Sequence, residues 1–191
     1  MKRKLTLLTA LVLIFSCLGF GTSLAYFTDS KQAQNVFTIG NVDITLTEPS
    51  WPKELAPVYP GQILPKDPTV TNTGANPCFV RIALSGLDTF GAEGTIRLRT
   101  GGNDGLGSGW FLGKDGLYYY NRPLEPGEAT PPLFDSIVIP TGVTRQQEQM
   151  VHSLLVSAQA VQAQGAQPDY ADVIAMTPAQ IESWFQTVMD S

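Results

Sequence analysis

Few residues in this chain have the type and spacing to do chemistry. A zinc peptidase of the His-Glu-x-x-His kind needs two histidines on one helix face, and the whole 191-residue sequence holds a single histidine, His152. A histidine-built zinc site is therefore excluded, and His152 is expected as a partly buried or edge residue inside a strand. No Gly-x-Ser-x-Gly motif surrounds Ser108 or any other serine, so a nucleophile elbow is absent. The run Gly101-Gly102-Asn103-Asp104-Gly105 lacks the repeated carboxylates of a calcium loop and is expected to be a plain surface loop. No catalytic, cofactor or metal residue is expected. The remaining candidates are aromatic: Trp110, Tyr118 and Tyr120 would either form a surface platform for a glycan or partner protein, or pack in the core.

The elements around these residues begin with a leader. Lys2, Arg3 and Lys4 precede an apolar stretch over residues 5–20, and Gly21 to Ala25 put small side chains at the first and third positions before Tyr26. That order predicts a secretory signal peptide over residues 1–25, cleaved between Ala25 and Tyr26. The stretch is shorter than the roughly 20 apolar residues of a membrane span. Cleavage removes three of the 12 basic residues and none of the 17 acidic ones, leaving a net charge of about -8. No Lys/Arg cluster remains, which excludes nucleic acid and anionic membrane as expected partners. Cys17 departs with the leader, so Cys78 has no internal disulfide partner and reads as a small buried hydrophobe.

After residue 35 apolar and polar residues alternate with period two between Gly, Pro, Asn and Asp, the pattern of half-buried strands joined by turns. Val42, Ile44 and Leu46 alternate with Asp43, Thr45 and Thr47. Residues 69–71 and then Cys78, Val80, Ile82 and Leu84 suggest a hairpin about Asn72-Thr73-Gly74. The glycine-rich residues 86–109 read as a long excursion with one short strand at Ile96 and Leu98. Asp115-Gly116 between two aromatic runs predicts a tight hairpin, and residues 134–139 and 151–161 supply two further strands, for seven or eight in all. Thr177-Pro178-Ala179-Gln180 matches a capping box with proline at the first helical position, and Ile181, Trp184, Phe185 and Val188 follow at helical spacing. The expected fold is mainly β, a jelly-roll-like β-sandwich with a C-terminal α-helix. Its divisions are the leader, a segment over residues 26–36, and a domain over residues 37–191.

Gly21 to Ser30, followed by the strand Asn35-Val36-Phe37-Thr38-Ile39-Gly40-Asn41-Val42-Asp43-Ile44-Thr45-Leu46, resembles the export region of the TasA/camelysin family. Phe37, Gly40, Asp43 and Leu46 fit that family's Phe-x-x-Gly-x-x-Asp-x-x-Leu pattern. Tyr59-Pro60-Gly61, Val70 to Gly74 and Leu124 to Glu128 are also similar to its turns. The resemblance implies a Gram-positive secreted protein, processed by a SipW-type signal peptidase, that polymerises into extracellular biofilm matrix fibres. Its expected partners are copies of itself and an accessory matrix protein. Tyr26, Phe27, Thr28 and Asp29 would then open a donor strand that pairs with the sheet edge of the next subunit. The alternatives are a monomeric cell-surface binding module and a camelysin-like secreted peptidase, for which no ligand set is recognisable.

Overall fold

Alternation builds the first well-packed strand. In β2 (Ile44–Thr47) Ile44 and Leu46 turn inward while Thr45 and Thr47 meet solvent. The computed structural model describes residues 35–39, 41–54, 57–144, 147 and 150–190. These belong to one compact unit, residues 32–191. The other strands are β1 (Asn35–Ile39), β3 (Ile63–Pro65), β4 (Thr69–Asn72), β5 (Cys78–Ser85), β6 (Arg97–Thr100), β7 (Asn103–Asp104), β8 (Trp110–Leu112), β9 (Tyr118–Tyr120), β10 (Ser136–Val138) and β11 (Leu155–Gln162). Two helices follow, α1 (Tyr170–Ile174) and α2 (Pro178–Met189). The chain is mainly β with a C-terminal helix, as expected, but the described strands number 11 rather than seven or eight.

Five strands pair in the order β1-β11-β5-β9-β8, four in the order β3-β10-β6-β7, and β2 pairs with β4. The two smaller sheets run into one another: Thr130 N donates to Val70 O at 2.8 Å, Asn72 N to Glu128 O at 2.9 Å and Lys66 N to Asp135 O at 3.2 Å. One apolar core lies between this combined sheet and the five-stranded one. It joins Ile44, Leu46, Val70 and Ile137 to Val80, Ile82, Ala158 and Ala160.

The proposed hairpin between β4 and β5 does not form. β4 pairs with β2, whereas β5 pairs with β11 and β9, so the chain crosses from one sheet to the other after Asn72. Asn72 makes this corner. Its buried Nδ2 donates to Asn76 O and Leu124 O, each at 2.9 Å, and its Oδ1 accepts from Gly74 N at 3.0 Å. Gly74 is required there because a Cβ would lie 2.7 Å from the Asp43 backbone nitrogen. The turn at Tyr59-Pro60-Gly61 is present, closed by Gln62 N donating to Tyr59 O at 3.1 Å. The hairpin at Asp115-Gly116 is present too, joining β8 to β9 with Gly116 at φ 82°. Within residues 86–109 two paired strands form, β6 and β7, where one was expected.

The outer face of the five-stranded sheet is also covered. β5 alternates as expected, with Cys78, Val80 and Ile82 facing the core between the sheets, yet Phe79 on its other side is equally buried. Phe79, Tyr119 and Val161 pack there with Val173 of α1 and with Ile181 and Phe185 of α2, the stripe read at helical spacing. The capping box holds the start of α2, with Thr177 N donating to Gln180 Oε1 at 2.9 Å. The short helix α1 was not foreseen, its five residues being too few to show a period.

Candidate functional site

The long strand β11 has unequal neighbours. On one side eight residues, Leu155 to Gln162, pair antiparallel with β5. On the other, five residues of β1 pair parallel with it, from Asn35 opposite Ser157 to Ile39 opposite Val161. This is the only parallel ladder among the described residues, and β1 forms the rim of its sheet. Val36 is 39% exposed, and Ile39 reaches the margin of the outer apolar cluster. Parallel pairs are slightly weaker per residue than antiparallel ones, and a rim strand is held from one side only.

After β1 the chain passes through Asn41, Val42 and Asp43 to β2 in the opposite sheet, a short connection fixed at its far end. Asn41 O accepts from Asn76 Nδ2 at 2.8 Å, and Asp43 O accepts from Thr73 N and Gly74 N, each at 3.0 Å. The Asn-x-Gly corner therefore anchors the far side of the β1 connection. β1 also crosses the expected boundary between residues 36 and 37, because Asn35 and Val36 already belong to the sheet. Ala25, Tyr26, Phe27, Thr28 and Asp29, the expected cleavage and donor residues, lie outside the described residues.

The aromatic candidates are packing residues. Trp110 and Tyr120 are 8% and 4% exposed, sit in the core between the sheets, and meet at a centroid distance of 5.4 Å. Trp110 Nε1 is satisfied by Pro131 O at 2.9 Å, and Tyr118 is half-buried against the same core. They form no exposed platform.

His152 departs from its expected strand. It stands exposed in the 3-10 turn Met150–Ser153, just before β11 begins at Leu155. Cys78 is fully buried, and burial pushes its thiol up to about 12, so it stays protonated and inert at neutral pH. In the glycine-rich loop Asp104 is taken by Arg97 Nη1 at 2.7 Å, and Asp135 Oδ2 accepts from Gly101 N at 2.6 Å. Among the described residues no three His, Cys, Asp or Glu side chains gather as a metal site.

Two charge clusters, each centred on a buried cation, gave no sequence signal, because each is assembled from residues distant in the chain. Lys66 Nζ lies 2.6 Å from Glu48 Oε1 and 4.0 Å from the Trp51 ring centroid, with the lysine fully buried. Burial lowers its pKa, opposed by the Glu48 carboxylate. Under α2, Arg81 donates from Nε to Gln159 Oε1 at 2.6 Å and from Nη1 to Tyr119 OH at 2.9 Å. Tyr119 OH in turn donates to Asp115 Oδ2 at 2.7 Å, and the guanidinium lies 4.8 Å from the Phe185 ring centroid. Burial first, and the Asp115 carboxylate second, push the Tyr119 hydroxyl up to about 12. In both clusters the buried cation is paired with a carboxylate.

Residues 1–82 match the family model described as camelysin metallo-endopeptidase. No curated protein and no solved structure matches the chain. The matched region, under half of the chain, takes in β1, the Tyr59-Pro60-Gly61 turn and the Asn72 corner and ends within β5, and the match agrees with the resemblance of residues 21–46 to the TasA/camelysin family.

Proposed function

We propose that the chain is a secreted structural subunit of extracellular matrix fibres, which assembles head to tail by β-strand addition. β1 carries this reading. It is a five-residue strand at a sheet rim, paired on one side only, and it directly follows the segment opened by Tyr26 and Phe27. In the fibre, β1 leaves its own β11 and, with the segment opened by Tyr26, pairs with β11 of the next copy. Because the same contacts are remade between copies, the exchange conserves most of the pairing energy. The connection through Asn41, Val42 and Asp43 is short, and short hinges favour exchange between copies over return within one. A contact that uses two different surfaces of each copy propagates as a filament when its rotation does not close into a ring.

Signal cleavage acts as the switch in this scheme. A SipW-type peptidase releases Tyr26, whose ring together with Phe27 anchors the donated strand while Thr28 and Asp29 begin its polar connector. An accessory matrix protein with a compatible strand would dock at the same rim. The role is structural rather than enzymatic. The matched family's name includes a metallo-endopeptidase, and a zinc site needs three convergent protein ligands. The described donor set does not fit one, with its histidine alone in an exposed turn and its thiol buried and protonated.

Light scattering on the purified, processed protein tests the proposal. Particle mass should rise with concentration for the chain beginning at Tyr26 and stay at one copy when residues 26–39 are deleted. A processed chain that remains monomeric across concentration and pH contradicts it.

A further inference from the structure

Three surface depressions adjoin one another between the loop after β11 and the helices. The first, about 540 Å³, is lined by Gln164, Gln167 and Tyr170 among others. A second, about 240 Å³, shares Gln164 and Tyr170 with it, and a third, about 150 Å³, shares Gln167 and continues to Ser183 and Trp184. They make one elongated track. We propose that this track binds an uncharged polysaccharide.

The lining chemistry selects that class. Among the described residues no charged side chain lines any of the three depressions, in a chain with 12 basic and 17 acidic residues. A polyanion would find no cation among these residues, and the carboxylate at their margin, Glu125, is taken up by the Tyr170 hydroxyl. What the track offers instead is primary amides, which donate and accept at once, as sugar hydroxyls do. Tyr170 and Trp184 supply aromatic surface against which the C–H faces of a sugar ring can pack.

Both rings are held before any ligand arrives. Trp184 Nε1 donates to Gln162 O at 3.0 Å, and Tyr170 OH donates to Glu125 Oε1. Gly165 takes a left-handed backbone, φ 99°, beside the Trp184 ring, where a Cβ would make only ordinary contact with Cη2 at 4.0 Å. Ordering two aromatic side chains in advance removes part of the entropy that binding would otherwise lose. The track lies on the α1 and α2 side of the molecule, and the inference does not depend on fibre formation.

Affinity electrophoresis of the whole purified protein tests it, with dextran, laminarin or hydroxyethylcellulose cast in the gel and anionic alginate as the contrasting polymer. Retardation by at least one of the neutral polymers is expected, with none by alginate, and the same polymer should perturb tryptophan fluorescence in solution. Gln164→Ala and Gln167→Ala should each weaken binding about three- to tenfold, as expected for a lost hydrogen bond. Neither should move the melting temperature, since neither side chain belongs to the core. Retardation by none of the neutral polymers, stronger retardation by alginate, or neutral-polymer binding that both substitutions leave unchanged would each overturn the proposal. Polymerisation, read separately by light scattering, is unaffected by these substitutions.

Discussion

The two flanks of β11 are built to different standards. Toward β5 it makes eight antiparallel pairs, with buried residues on both faces of that pairing, Ile82 and Ala158 under the opposite sheet and Phe79 and Val161 under the helical layer. Toward β1 it makes five parallel pairs, and the β1 side chain opposite Ala158 is the partly exposed Val36. One strand thus has a permanent neighbour and a replaceable one. The difference shows where an assembly contact can be placed without dismantling the fold. The flank that carries the core stays, and the flank that carries little can be exchanged.

Substitutions on either side sharpen that contrast. On the permanent flank, Ile82→Ala removes a fully buried side chain from the core between the sheets and should cost about 2–5 kcal/mol, read as a lower denaturant midpoint with an unchanged slope. On the replaceable flank, Val36→Lys should change the unfolding free energy by less than about 0.5 kcal/mol, because the exposed rim position lets the ammonium stay in water. Comparable losses for the two would break the comparison, since β1 would then be as integral to the monomer as β5.

What was legible in the sequence followed from local rules. The alternation of β2 and β5, the Asp115-Gly116 turn and the capped helix after Thr177 each depend on residues a few positions apart, and each is present. The errors arose where a distant partner decides. Asn72-Thr73-Gly74 has the composition of a hairpin turn, but the Asn72 side chain is bound by Leu124 O, and this contact makes it a corner between sheets. His152 continues the alternating pattern of β11 backward, yet the chain turns there in a 3-10 turn. Arg81 reads as a solvent-facing residue of an amphipathic strand, and only the docking of α2, with Phe185 over the guanidinium, explains its burial.

The candidate site was legible only in outline. The export motif pointed to the N-terminal segment, but the parallel pairing of β1 with β11 joins the two ends of the domain, and no spacing rule encodes it. Trp110 and Tyr120 carried an aromatic signal that packing absorbed. Lys66 and Glu48 carried none, because a buried ion pair between residues 18 positions apart looks like surface charge in the sequence.

The most direct measurement uses a covalent lock. Val36 and Ala158 are paired across β1 and β11, at a neighbouring-strand separation that a disulfide can span, so Val36→Cys combined with Ala158→Cys ties β1 to its own copy when oxidised before assembly. Light scattering should then report a monomer that polymerises only after reduction, and oxidation of preformed fibres should link copies into a ladder on a non-reducing gel. Polymerisation of the locked protein at the rate of the reduced one would contradict the exchange of β1.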